Sequence, residues 1–517
     1  MVVNNAVDGD SRVQKIAWSM ADQGYDVTLL GVFKPDPQAP LDGQGRRELE
    51  LGRARVLLVP LLPVVSGYDR RRGSRPSAER RAQWRQALAQ LRAWDAAEVC
   101  ARPGVSAAGR VPAGGRARLA GVLASPTPAG RGLDRALEVA GTGPVGGRLA
   151  QAGALTRALA DRHGGWRQFN PFAADLELAL GPVLVELAPD LVHAHDAHTI
   201  GITARAVARL RAGGHAVRWV YDAHEYVAGQ RREGVPTGPA AARLAVRHRF
   251  LAGVEREYAA LADAVVTVSE PIAERMRAEL GLRVTPLVVR NVPPAPPSGA
   301  AAPSLRAAAG VDAGTPLLVY SGSCAPQRGV ATLVDALPAL PGVHLAMVAA
   351  ATDPHLADLL ARAATAGVAG RVHAVGYVAP DLVPGYLAEA DAGVSPLLHR
   401  PNHELSLNTK YAEYMHARLP VLTSDVAFAA DFTRRAGIGE VFTAGDGADL
   451  ARAVRLVLDA PDRYRARYTR QLLAEQTWEH QERVLADLYA RLSGRAPAVP
   501  NEPGIRSPLR LEPKSRA

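Results

Sequence analysis

Two side chains of opposite charge, Lys410 and Glu413, lie three residues apart in the segment Ser406–Asp425. The segment, SLNTKYAEYMHARLPVLTSD, predicts a polar loop, an amphipathic helix and then a strand over 421–424. Residues at i and i+3 share one face of a helix. A helix N-terminus favours phosphate, and Lys410 adds a positive charge beside it. Glu413, deeper on the same face, can accept hydrogen bonds from two vicinal hydroxyls, so the pair indicates a nucleotide site.

The same spacing also occurs as an incidental ion pair on a surface helix. Composition favours the nucleotide interpretation. Of the 61 basic residues only four are lysine, and the remainder are arginine. A lysine on this helix is therefore unusual for this chain.

The bulk composition bounds the class of protein. A chain of 517 residues is long enough for two sizeable domains, and 48% hydrophobic with 22% charged residues is ordinary for a globular protein. Two cysteines, Cys100 and Cys324, cannot form a disulfide framework or a cysteine-based zinc site. The sequence shows neither a membrane span nor the basic-then-apolar order of a signal peptide at its start. These features predict a cytoplasmic protein.

The net charge of +10 is concentrated in one segment. Residues 66–150 contain 15 arginines against six acidic residues. A surplus confined to one insertion argues against a nucleic-acid-binding face. It fits an arm that contacts an anionic surface, such as lipid headgroups at the inner membrane face or a phosphorylated acceptor. A solvated insertion without a partner remains the other interpretation.

Short apolar strands alternate with helices along most of the chain, which predicts an α/β fold with two doubly wound domains facing across a cleft. The first domain is predicted over residues 1–292, beginning with a strand at 1–5 and carrying 66–150 as a partly disordered insertion. A proline-rich linker, 293–304, precedes the second domain, 305–477. A terminal helix at 478–493 and a disordered tail at 494–517 complete the prediction.

Five motifs occur in one order along both predicted domains. Together they resemble the retaining nucleotide-sugar glycosyltransferases of glycosyltransferase family four (glycosyl transferases group 1), which have the GT-B fold. The resemblance implies two Rossmann-like domains, a C-terminal helix that crosses back to the first domain, and sugar transfer with retention of configuration. It does not cover the basic insertion or the tail. The motifs are DLVHAHD (190–196), YDAHEY (221–226), ADAVVTVSEPIAE (262–274), YSGSCAPQRGVATLVDAL (320–337) and KYAEYMHARLPVLTSD (410–425).

The segment 320–337 predicts a strand, a glycine-containing loop and a helix. Gly322 lets the backbone approach a pyrophosphate closely, and Arg328 supplies positive charge. The resembling enzymes usually carry an arginine just after the glycine, where this chain has Ser323. Lys410 is expected to compensate for that loss. A tight turn at Gly322 without a ligand is the alternative.

Many of the resembling enzymes carry two glutamates eight residues apart, the second matching Glu413. The first position is Leu405 here, and Glu404 is adjacent. Either Glu404 replaces the missing carboxylate, or Asn402, His403 and backbone N–H groups contact the donor sugar. The predicted donor-binding set is Gly322, Ser323, Arg328, Glu404, Ser406, Leu407, Asn408, Lys410 and Glu413.

His224 follows a strand that reads as buried. In the resembling enzymes the matching histidine lies beside the transferred sugar, so His224, Lys410 and Arg328 are the predicted catalytic residues. The acceptor side is predicted to carry Asp10, Arg12 and His195.

The histidine-rich motifs allow a rival hypothesis. His193, His195 and His224 could hold a metal ion, which would make the protein a metal-dependent hydrolase. A DxD match at Asp8–Asp10 is interpreted as coincidence. No metal and no cofactor are expected, because two basic side chains and helix N-termini supply positive charge at the leaving group.

The sequence therefore predicts a glycosyltransferase that moves a sugar from a nucleoside-diphosphate sugar. The resemblance makes a UDP-sugar the expected donor, since uridine is the commonest base in that family, but the base itself stays open. A non-catalytic sugar-nucleotide binding protein is a second alternative. A lipid-linked acceptor of envelope polysaccharide or glycolipid synthesis and a soluble small acceptor both stay open, as do the donor sugar and the oligomeric state.

Overall fold

The computed structural model describes residues 1–35, 45–66, 78–101, 170–229, 239–296, 301–495 and 512–513. Most of the predicted basic insertion lies outside these ranges, apart from a helix over Ala78–Ala101. No helix in the described ranges is both long and apolar enough to span a membrane.

The strands fall into two layered sheets whose members follow the predicted βα rhythm. In chain order they are β1 Thr28–Phe33, β2 Arg47–Leu51, β3 Ala54–Pro60, β4 Leu191–His195, β5 Arg218–Ala223, β6 Ala264–Thr267, β7 Leu287–Val288, β8 Leu317–Ser321, β9 His344–Val348, β10 Val372–Val375, β11 Ala392–Ser395, β12 Val421–Ser424, β13 Gly439–Phe442 and β14 Glu512–Pro513.

The first sheet joins two groups of strands through a single residue. Val2 bridges in parallel to Leu30 of β1 and Ala194 of β4, which connects β14-β2-β3-β1 to β4-β5-β6-β7. The strand predicted at 1–5 is thus reduced to a bridge at Val2. β2 pairs antiparallel with β3, and the other pairs between β1 and β7 are parallel. Two residues of the predicted disordered tail, β14, pair with β2 instead.

The second sheet is wholly parallel, in the order β10-β9-β8-β11-β12-β13. The order reverses between β8 and β11. In such sheets a crevice opens at the carboxyl ends of the strands on either side of this reversal. The loops after β8 and β11 therefore line the natural ligand position.

The helices cover both faces of each sheet, and several carry capping residues that the sequence shows. Ser269 and Thr477 accept N-cap hydrogen bonds, and Gly281 and Gly494 end helices in the left-handed conformation. The helices are Ser11–Asp22, Ala78–Ala101, Pro171–Leu187, Ala197–Ala212, Pro239–Tyr258, Glu270–Leu280, Leu305–Ala309, Ala331–Ala336, Leu356–Thr365, Val383–Leu387, Thr409–His416, Ala427–Ala436, Gly447–Asp459, Pro461–Arg465, Arg470–Glu475 and Trp478–Ser493.

The terminal helix Trp478–Ser493 packs on the first sheet, as predicted. Trp478 and Tyr489 belong to the same buried cluster as Val3, Ile16 and Leu29. The indole Nε1 of Trp478 donates to Ser19 Oγ at 2.8 Å. Because this helix follows the second sheet in sequence, it ties the two halves of the protein together, which confirms the GT-B architecture.

Candidate active site

The loop after β8 and the helix Thr409–His416 meet at the reversal point of the second sheet. The Tyr414 hydroxyl accepts from Ser321 N–H and donates to Val394 O, each at 3.1 Å, so one side chain links β8, β11 and this helix. Gly322 follows β8 with φ +122°, a conformation that only glycine adopts easily. A Cβ on Gly322 would lie 3.2 Å from Lys410 Nζ. The predicted glycine loop and the predicted lysine are therefore neighbours.

Lys410 is held close to an aromatic face that the sequence analysis did not single out. Its Nζ lies 3.9 Å from the centroid of the Tyr320 ring, a cation–π contact. Burial and, after it, the charge of Arg328 lower the pKa of Lys410 to about 7, while Glu413 opposes the shift. Two cations that repel each other in a largely buried site favour an anion with several charges.

Arg328 reaches the same site from the short 3-10 helix Pro326–Arg328. The next residue, Gly329, has φ +70°, and a Cβ there would lie 1.9 Å from the carbonyl oxygen of Pro396. Glycine is required because the loop after β8 passes directly against the loop after β11. This close approach places Arg328 at the reversal point, which the sequence alone did not show.

Glu413 lies one turn deeper than Lys410 and is half-buried. Burial raises the pKa of Glu413, while the charges of Lys410 and Lys15 oppose that rise. Lys15 comes from the first domain, where its Nζ donates to Asn291 Oδ1 at 3.0 Å and to Val292 O at 2.6 Å. Glu413 therefore lies at the back of the cleft, close to the interdomain linker.

The remaining predicted donor residues surround this centre with varied partners. Ser323 is exposed, and its carbonyl accepts from the Tyr320 hydroxyl at 2.5 Å. Ser406 Oγ donates to Asn402 O at 3.0 Å, and Asn408 Nδ2 donates to Ser395 Oγ at 3.0 Å. These contacts order the loop that precedes the Lys410 helix.

Glu404, a predicted donor-binding residue, has two protein partners in the structure. Its Oε1 lies 2.7 Å from His399 Nδ1, and its Oε2 accepts from Ala427 N–H at 2.7 Å. The carboxylate raises the pKa of His399 through this hydrogen bond and its charge. Because its carboxylate is engaged at the start of helix Ala427–Ala436, Glu404 anchors the loop between β11 and the Lys410 helix, residues 396–408, to the second domain.

On the opposite wall, His224 follows β5 and lies in a cluster of charged groups. Its Nε2 is 3.2 Å from His195 Nδ1 and 3.4 Å from Asp222 Oδ2, and its Nδ1 is 3.5 Å from Asp196 Oδ1. Burial alone would lower the pKa of His224, but the Asp222 and Asp196 carboxylates outweigh it and raise the pKa. His195 is fully buried and does not line the acceptor side, contrary to the prediction, and burial holds its pKa well below the ordinary value.

Arg12 does not reach the acceptor side, contrary to the prediction. It is only 3% exposed and forms a bidentate pair with Asp222, with Nε to Oδ2 at 3.0 Å and Nη2 to Oδ1 at 2.8 Å. Its Nη1 donates to Val289 O at 2.7 Å. A buried carboxylate needs such a partner, so Arg12 stabilises Asp222, which in turn contacts His193, His195 and His224.

Asp10 and Asp196 lie at the mouth of this cluster. Asp10 caps the helix Ser11–Asp22 and accepts from Asn5 Nδ2 at 2.9 Å. Asp196 has φ +66° and ψ 159°, a strained conformation for a non-glycine residue. Burial raises the pKa of Asp196, the charge of His224 opposes this, and nearby Asp222, Asp10 and Glu225 reinforce it. The sequence does not reveal the strained backbone of Asp196 or its contact with His224.

The metal-site hypothesis fits this geometry poorly. Ligand atoms of His193, His195 and Asp222 do lie within 4.8 Å of one another. However, the two imidazole rings stack with centroids 4.4 Å apart and planes only 10° from parallel. A metal lies close to the plane of each imidazole that binds it, and parallel planes do not converge on one ion. Both oxygens of Asp222 are also occupied by Arg12.

Comparison with known families places both halves of the chain. Residues 137–291 match the model described as Glycosyltransferase Family 4, and residues 315–460 match the model described as Glycosyl transferases group 1. The chain is 28% identical over 267 residues to a 2-deoxystreptamine glucosyltransferase from Streptomyces kanamyceticus, covering 48% of this chain. The alignment spans 66% of that relative's length, just under two thirds.

Solved structures of the same fold extend over nearly the whole chain. A sucrose-phosphate synthase from Thermosynechococcus elongatus superposes with a TM-score of 0.58 at 16% identity, covering 95% of this chain and 96% of that one. A trehalose-6-phosphate structure from E. coli, bound with UDP-2-fluoro glucose, has a TM-score of 0.52 at 12% identity, covering 96% and 99%. At such identities the likeness establishes the fold. With one parallel and one largely parallel sheet, a returning terminal helix and both family models matched, the chain belongs to the GT-B glycosyltransferases of family 4 and group 1.

Proposed function

We propose that this glycosyltransferase transfers a sugar from a UDP-sugar to a hydroxylated acceptor, with retention of anomeric configuration. The observation that carries the donor assignment is the approach of Lys410 to Gly322, with Arg328 and Glu413 beside them. Two cations and a glycine loop suit a diphosphate, and a carboxylate one turn away suits the ribose hydroxyls.

Uridine as the donor base has support from a structural neighbour, since the E. coli structure of the same fold contains UDP-2-fluoro glucose. Tyr377 is 55% exposed and interacts electrostatically with Cys324 and Glu413, so it lies by the same pocket. Its exposed ring offers a surface on which a base can stack.

In this proposal, Lys410 and Arg328 stabilise the charge that develops on the departing diphosphate, which is the main electrostatic task of the reaction. His224 faces the transferred sugar from the other wall. Its raised pKa keeps it available as a hydrogen-bond donor to a sugar hydroxyl near neutral pH. These groups supply the positive charge without a metal or a cofactor.

The acceptor side favours a neutral or cationic molecule over a phosphorylated one. The charges of Asp10 and Glu225 both act on Asp196, which lies beside His224. Carboxylates accept hydrogen bonds from hydroxyl or ammonium groups, and they repel phosphate. The named activity of the Streptomyces relative, a 2-deoxystreptamine glucosyltransferase, agrees with a small hydroxylated acceptor.

A lipid-linked acceptor at the inner membrane face, in envelope polysaccharide or glycolipid synthesis, is the second candidate. It is favoured by the 15 arginines among residues 66–150. Binding to vesicles of anionic and of zwitterionic lipid, with and without that segment's charge, separates the two acceptor classes.

The decisive experiment measures UDP and UDP-glucose binding by calorimetry in Lys410→Ala and Glu413→Ala. We expect each variant to weaken UDP binding by about 10–100-fold, since each removes a charged contact worth roughly 1.5–3 kcal/mol. Lys34→Ala, which removes an exposed lysine, is the matched control. Unchanged UDP affinity in both site variants would contradict the donor site, and absence of any donor turnover would favour the non-catalytic binding protein.

A further inference from the structure

The loop between β11 and the helix Thr409–His416, residues 396–408, is called the donor loop below. It belongs to the second domain but inserts a side chain into the first domain. Leu405 is 8% exposed and belongs to the apolar cluster formed by the first domain, together with Tyr226, Val227 and Ile272. Its sequence neighbours on both sides belong to the second domain. This leucine occupies the position where the resembling enzymes usually carry a glutamate.

A buried hydrogen bond fixes the backbone at the same point. Ser269 Oγ donates to Leu405 O at 2.6 Å, across 136 residues of sequence. Ser269 lies two residues after the end of β6 and caps the helix Glu270–Leu280. It therefore lies at the carboxyl edge of the first sheet, the edge that faces the cleft.

A third contact reaches the segment that carries His224. A Cβ on Gly229 would lie 2.8 Å from Asn402 Oδ1, so the two loops touch where glycine leaves room. Gly229 ends the short 3-10 helix Val227–Gly229, five residues beyond His224. The donor loop thus contacts the His224 segment directly.

The donor loop is also anchored to its own domain. Glu404 holds Ala427 N–H through Oε2, and Glu404 O accepts from Phe428 N–H at 3.1 Å. A loop that is fixed at its base and buried at its tip transmits the position of one domain to the other.

We propose that residues 402–405 form a clasp that holds the cleft closed and positions His224 over the donor pocket. This rests on the proposed function, because it assigns His224 to the transferred sugar. The clasp closes by burying Leu405, so its stability comes from apolar burial between domains and not from the donor. A carboxylate at this position would have to be desolvated in that apolar cluster.

If Leu405 acts as a clasp, its loss lowers turnover but leaves UDP affinity unchanged. A direct contact with the donor would change both together. UDP is held by groups of the second domain, so opening the cleft leaves UDP affinity unchanged. The chemical step needs His224 in place, so opening the cleft lowers turnover. Leu405 is a positioning residue in this view.

The experiment uses the full chain with Leu405→Ala, and Leu405→Met as the volume-conserving rescue. Small-angle scattering of the unliganded protein should show a larger radius of gyration for Leu405→Ala and the wild-type value for Leu405→Met. Calorimetry should give UDP affinity within about twofold of wild type, while kcat/KM with UDP-glucose falls about tenfold. Leu456→Ala, at a 45% exposed site, is the matched control.

Two results would overturn the clasp. The first is unchanged scattering together with unchanged turnover in Leu405→Ala. The second is a tenfold loss of UDP affinity, which would make position 405 part of the donor pocket. If wild-type protein bound no UDP, the proposed function would fail by itself, whereas the scattering comparison would still decide whether Leu405 closes the cleft.

Discussion

The proton on Lys410 offers a sharp test of the donor site. Burial and the charge of Arg328 lower the pKa of Lys410 to about 7, so above neutral pH the free enzyme holds mostly the uncharged amine. A bound diphosphate favours the ammonium form and returns the pKa towards the ordinary value of about 10.4. Binding of UDP must then take up a proton from solvent.

The magnitude follows from linkage. Between a free-enzyme pKa of about 7 and a bound pKa near 10, UDP affinity should fall as pH rises, by up to about tenfold or 1.4 kcal/mol per pH unit. From pH 7.5 to 9.5 the expected loss is about 50–100-fold, with about 0.9 proton taken up per UDP at pH 8. Calorimetry in two buffers of different ionisation enthalpy measures both quantities.

Two variants test whether Lys410 is the group that takes up the proton when UDP binds. Lys410→Arg keeps the positive charge because a guanidinium stays protonated over this range, so its UDP affinity should be nearly independent of pH. Burial also lowers the pKa of Lys15 to about 7, and Lys15→Met is therefore the matched control and should keep the slope. A slope that persists in Lys410→Arg and vanishes in Lys15→Met would refute the reasoning.

Two further substitutions test the framework behind the site. Arg12→Leu should lower the free energy of unfolding in urea by about 3–5 kcal/mol, because it leaves the Asp222 carboxylate buried without its bidentate partner. A loss below about 1 kcal/mol would show that the protein tolerates this buried carboxylate without an ion-pair partner. Gly329→Ala should cost about 1–3 kcal/mol more than Gly310→Ala, since both have positive φ but only the first would place a Cβ 1.9 Å from Pro396 O; equal losses would contradict the crowding argument.

Local sequence patterns predicted much of the fold and part of the site. Strand and helix periodicity predicted the two doubly wound domains, and the family resemblance implied the helix that returns from Trp478. The glycine loop and the Lys410–Glu413 spacing located the proposed donor wall. These features depend on neighbours within a few residues, so the sequence displays them directly. The strand predicted at 1–5 was the exception: its regular pairing is limited to a bridge at Val2, and backbone hydrogen bonds with β1 are added by Met1, Val3 and Asn5.

The sequence by itself therefore determined which elements form and which residue types stand at the strand ends. The tertiary structure alone decided which of those residues meet: Arg12 pairs with Asp222 across 210 residues, and Leu405 enters the other domain's core. Both residues had been interpreted from their positions in family motifs. Their actual partners are distant in sequence, and charge pairing or apolar burial at such separations depends on how the domains pack.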